Sequence, residues 1–104
     1  MKLRPVLLLT RAIGFVPEVL VAYISSVTPV QALPSDLFID PSASEFRSTH
    51  LKVPSTLRLH KLATIHSSSL ARYLGAIDPA TLAGVRNKLG ELLQLPTGPA
   101  HKPL

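Results

Sequence analysis

Cysteine is absent from the 104 residues, which excludes disulfides, cysteine-ligated zinc and thiol nucleophiles and fits a reducing compartment. Aromatic side chains are scarce at 5%, and the basic residues are not interleaved with them. No stacking platform for single-stranded nucleic acid is therefore visible along the chain. Long apolar runs are missing as well. Thr10 and Arg11 end the first after four residues, and Pro17 and Glu18 interrupt the next. Neither a secretory signal nor a membrane span of ~18 residues can be drawn, although Lys2 and Arg4 imitate a signal's charged start. No Gly-x-Ser-x-Gly elbow supports a serine hydrolase, and His50, His60, His66 and His101 match no zinc spacing, so neither a metal nor a cofactor is expected. Internal repeats and low-complexity tracts are also lacking.

What is present is one domain's worth of apolar side chains, 46% of the sequence, and 11 Lys and Arg against 6 Asp and Glu. The net charge of +5 favours an anionic partner without choosing among nucleic acid, an acidic protein and a membrane surface. Pro5 suits the first residue of a strand, and residues 6–9 are short and apolar enough to be one. Residues 18–26, β-branched and aromatic between Pro17 and Pro29, predict a second strand pairing with the first as a hairpin. Their connection, 11–17, is longer than a tight turn. Breakers at Pro34-Ser35 and Pro41-Ser42 bound a third strand at 36–40. Residues 41–54 read as a loop with room for one helical turn.

In residues 55–66, Leu57, Leu59, Ala63 and Ile65 alternate with Arg58, His60, Thr64 and His66, which predicts a strand with a partly basic face. Lys61 and Leu62 break the alternation, as a bulge or a break would. The serines 67–69 read as helix-capping groups, and 70–77 is ambiguous between helix and strand. Asp78 as N-cap and Pro79 at the first helical position start a final helix. Its stripe is Leu82, Val85, Leu89, Leu92 and Leu93, predicted to pack on the sheet. Gly84 and Gly90 each weaken that helix by about 1 kcal/mol relative to alanine. The proline-rich residues 96–104 read as a disordered tail behind a domain of residues 1–95.

Taken in order, KLRPVLLLT, VLVAYISS, PSTLRLHKLATIH and DPATLAGVRNKLGELLQL resemble the PemK/MazF family of toxin–antitoxin ribonucleases over residues 2–95. The resemblance implies a mainly β, small SH3-like barrel with a C-terminal α-helix, acting in the cytoplasm as a homodimer. It implies a cognate antitoxin, single-stranded RNA as substrate and operator DNA bound together with the antitoxin, with no membrane partner. Members usually open with a further strand and a glycine-containing loop before the Arg-Pro step. Their absence here leads us to expect a barrel incomplete at its N-terminus, unstable or inactive alone.

The family's chemistry is metal-free, and its catalytic arginine falls on Arg4. The hydroxyl residue closing the second strand falls on Ser25, where threonine is common. An arginine used by some members falls on Arg58, and His60 stands where those members carry a carboxylate. His66 likewise replaces a residue that is often acidic. An imidazole at His60 suits proton transfer near neutral pH. Each residue also has a plain reading: Arg4 as a surface arginine, and His60 and His66 as residues of a strand's polar face. Three functions follow: a ribonuclease toxin, a catalytically inactive relative that binds antitoxin or nucleic acid, and a small structural barrel.

Overall fold

Pro5 decides where the sheet begins. Its carbonyl accepts from Ile24 N–H at 3.4 Å, but proline has no N–H to return the bond, so regular pairing starts one residue later. The computed structural model describes residues 3–27, 29–40, 42 and 46–95. Along them run β1 (Val6–Leu8), β2 (Glu18–Ser25), β3 (Asp36–Ile39), α1 (Phe46–Thr49), β4 (Ser55–His66), a 3-10 turn at Ser67–Ser69 and α2 (Pro79–Leu92). The strands form one antiparallel sheet in the order β1-β2-β4-β3, curled into a half-barrel. The fold is mainly β with a C-terminal helix, as the sequence led us to expect. The expected disordered tail lies outside the described residues.

The hairpin connection is tighter than its length suggested. Ile13 and Glu18 exchange backbone hydrogen bonds of 2.7 and 3.1 Å, which leaves Gly14 to Pro17 as the loop, and Gly14 takes a φ of +87° that favours glycine.

The break in the alternation of β4 is a wide bulge. Ala22 pairs with Leu62, yet Tyr23 pairs with Arg58, so Leu59, His60 and Lys61 have no partner on β2. This corrects the single basic face. Leu57 pairs with Ile24 while Ala63 pairs with Val21, and these partners, three apart on β2, point to opposite sides. Leu57, Leu59 and Leu62 accordingly join Ala22, Ile39 and Val85 in the core beneath the helix. Ala63 and Ile65 face away from it, against the buried Val21 and Val19. Arg58 and His66 therefore lie on opposite faces.

α2 starts as expected, with the Asp78 carboxylate accepting from Ala80 N–H and Thr81 N–H. Its buried stripe is shorter. Val85 is 1% exposed and Leu89 packs on the core, but Leu82 is 36% exposed, and Leu92 and Leu93 also face solvent. Leu82, three residues before Val85 and seven before Leu89, shares their side of the helix, as do Leu92 and Leu93, so the sheet covers only the middle of the stripe and leaves its two ends in solvent. Gly84 also meets the sheet, with Leu37 Cδ1 3.6 Å from where its Cβ would stand, and Lys88 Nζ donates to Pro34 O at 2.9 Å.

Residues 70–77 are neither helix nor strand. Backbone bonds to α1 fix their course: Ala76 N–H donates to Ser48 O at 2.8 Å, and Ser48 Oγ to Ala76 O at 2.9 Å. The approach requires glycine, because a Cβ on Gly75 would lie 2.6 Å from the carbonyl of Thr49. The serines 67–69 form the 3-10 turn themselves, and His66 caps it, its Nδ1 accepting from Ser68 N–H at 3.1 Å.

Candidate functional site

The sheet face away from α2 carries two adjacent cross-strand rows. Val6, Tyr23, Arg58 and Asp36 stand in register across β1, β2, β4 and β3. The next row holds Ser25, Thr56 and Phe38, and the bond from Ile24 N–H to Pro5 O carries the β1–β2 register on to set Arg4 opposite Ser25. Residues two apart on a strand share a face, so Arg4, Ser25 and Arg58 occupy one side of the sheet. They come from three different strands or their ends.

Arg58 is the most firmly held of them. Its Nε–H donates to Asp36 Oδ1 at 2.6 Å, and the other oxygen of that carboxylate accepts from Leu33 N–H at 2.9 Å. The Asp36 side chain is 4% exposed and that of Arg58 18%. One edge of the guanidinium is thereby fixed, and its two Nη groups have no partner among the described residues. That is the geometry for gripping an anion through a preset fork.

His60 lies in the bulge with Nδ1 3.9 Å from Asp36 Oδ1, too far for a hydrogen bond and near enough for charge attraction when protonated. Ser25 Oγ closes on its own loop, accepting from Val27 N–H at 3.1 Å and donating to Val27 O at 3.2 Å. A ligand must displace the second of these bonds to receive the hydroxyl proton. Arg4 is exposed and has no polar partner among the described residues.

The profile of PemK-like, MazF-like toxins of type II toxin–antitoxin systems matches residues 1–93. The chain belongs to that family. The Mycobacterium tuberculosis toxin MazF-mt6 has a similar structure at 25% identity and a TM-score of 0.70, covering 89% of this chain and 88% of that one. An endoribonuclease solved with its cognate antitoxin, from a mycobacterial species, shares the fold at 20% identity and a TM-score of 0.65, over 91% and 84% of the two chains. Another solved structure, of an M. tuberculosis toxin, aligns at 24% identity and a TM-score of 0.66, over 85% and 90% of the two chains. No curated protein sequence matches the chain.

Three residues of this toxin's open face escaped sequence reasoning. Asp36 reads as the polar first residue of a strand, and its partner is 22 residues away. Tyr23 and Phe38 read as ordinary strand residues, yet they are 40% and 56% exposed and flank Arg58. Only the strand order could have signalled them. Among the described residues, no three His, Cys, Asp or Glu side chains gather as metal ligands would, and no helix is long and apolar enough to cross a membrane.

Proposed function

We propose that this toxin is an endoribonuclease cutting single-stranded RNA without a metal. The gathering of Arg4, Ser25 and Arg58 on one open sheet face, with His60 beside them, carries the reading. The RNA 2′-oxygen attacks the neighbouring phosphorus, and the bond from phosphorus to the 5′-oxygen breaks. One fragment keeps a 2′,3′-cyclic phosphate and the other a 5′-hydroxyl. Arg4 stabilises the charge that grows on the phosphoryl oxygens, Ser25 orients the phosphate, and Arg58 adds a second cation. His60 takes the proton from the 2′-hydroxyl or returns it to the leaving oxygen.

The likeness to an endoribonuclease solved with its cognate antitoxin supports an antitoxin as the protein partner. The toxin works in the cytoplasm as a homodimer, and with the antitoxin it binds operator DNA. Cleavage of a single-stranded RNA in excess EDTA, with the 3′ ends identified, tests the mechanism. Activity that persists and leaves cyclic phosphate is expected; metal dependence or 3′-hydroxyl products would overturn it.

The closed Ser25 hydroxyl favours a second reading, a relative that binds antitoxin or RNA without cutting. Antitoxin binding with no cleavage would select it.

A further inference from the structure

We infer that Tyr23 and Phe38 are base-stacking residues, each holding one unpaired nucleobase of an RNA strand whose backbone passes Arg58. The inference rests on the reading of this face as the site for single-stranded RNA. Tyr23 is the direct cross-strand neighbour of Arg58 on β2, and Phe38 lies diagonal to it on β3, two residues beyond Asp36. Both rings are large, apolar and left in water, at 40% and 56% exposure, on the sheet face away from the helix. Charge complementarity selects the occupant. The rings flank a guanidinium whose two Nη groups have no partner among the described residues, and Arg4 adds a second cation on the same face in a chain of net charge +5. A polyanion with π faces satisfies both features, whereas an apolar protein surface would leave the free Nη groups of Arg58 unpaired.

Spacing fixes how the bases are held. Two strand-to-strand steps of ~4.8 Å separate β2 from β3 across β4, so the rings stand roughly 10 Å apart or more. That is too far for two bases stacked on each other. The strand is splayed around Arg58, with one base on each ring, a form in which proteins read single-stranded RNA.

The test uses the full chain and an RNA oligonucleotide carrying a 2′-O-methyl group at every position, so that binding is read without cleavage. The chain has two tyrosines and no tryptophan, so in a Tyr73→Phe background Tyr23 is the sole strong fluorophore. Its emission should be quenched on binding. Tyr23→Leu and Phe38→Leu keep apolar bulk but remove the π face, and each should weaken binding about 5- to 150-fold, as losing one base–aromatic stack does. Tyr23→Phe and Phe38→Tyr should bind as the parent does. Unchanged affinity in the leucine variants, or unquenched emission in a bound complex, would overturn the inference. So would a self-dimer that buries both rings and loosens in Phe38→Leu on sedimentation. Cleavage of ordinary RNA is measured alongside. Binding with quenching but no cleavage leaves the stacking role standing and fails the nuclease; cleavage with unchanged leucine variants does the reverse; no binding at all fails both.

Discussion

Arg58 Nε and Asp36 Oδ1 meet at 2.6 Å as directly opposed residues on β4 and β3, with the carboxylate almost wholly buried. The pair fixes the edge strand β3 and aims the arginine across the open face. A buried charge stripped of its partner is costly, and the Leu33 N–H satisfies only part of what remains. Arg58→Met should therefore lower unfolding free energy by about 3 kcal/mol, read as a lower midpoint in urea. Asp36→Asn combined with Arg58→Met should recover part of that loss. A double variant no better than the single would show that the carboxylate is not the source of the strain.

Arg4 lies outside that pair and makes no polar contact among the described residues, so its removal separates catalysis from folding. Arg4→Ala should leave the melting curve in place and lower the RNA cleavage rate roughly a hundredfold or more, the usual effect of losing one preorganised donor to a developing oxyanion. Full activity would remove Arg4 from the site.

Two glycines should respond in opposite directions to the same substitution. A methyl group on Gly90 meets nothing within 4 Å, so Gly90→Ala should stabilise α2 by about 1 kcal/mol. On Gly75 it would press into the backbone of Ser48 and Thr49, which cannot yield as a side chain does. Gly75→Ala should destabilise by about 2 kcal/mol or more. Paired thermal melts of the two variants decide the matter.

The helix cap carries a pH dependence whose sign is fixed. The Thr81 hydroxyl bond, aided by backbone N–H groups, holds the Asp78 carboxyl below its ordinary value of 3.8. The unfolded chain then binds more protons near pH 4, so stability rises with pH through that region. It is fully present above about pH 5 and lost as pH falls through the lowered pKa. Asp78→Asn, which can still accept from the helix N–H groups, should flatten the decline between pH 5 and 3 in thermal melts followed by circular dichroism. An unaltered slope would place the acid sensitivity elsewhere, for example at Asp40, which the Ser42 N–H and hydroxyl hold low in the same way.

Much of the fold was legible because its signals are local. Proline at position 5, the breakers around residues 36–40, and Asp78-Pro79 act within a few residues of themselves, and each boundary falls within one or two residues of where they put it. The candidate site was legible only through family resemblance. Arg4 before its strand and Ser25 at the end of another are positions that a motif can carry. Asp36, Tyr23 and Phe38 belong to no motif, and β4's apparent alternation was misleading: the parity of Leu57 and Ile65 is the same, while their faces are opposite.

By itself, then, the sequence determined where strands and helix start and stop, that the fold is mainly β with a C-terminal helix, and that the chain belongs among the PemK/MazF-like toxins. Propensity, capping and breaker chemistry act over a few residues, so they survive in a one-dimensional reading. Tertiary structure decided which side chains share a face. Three residues unpaired in β4 reverse the pleat, and the β1-β2-β4-β3 order sets Tyr23, Arg58 and Asp36 side by side. Register is the physical reason: a slip of one residue sends every side chain of a strand to the other side, and register is fixed only when the whole sheet closes over its core.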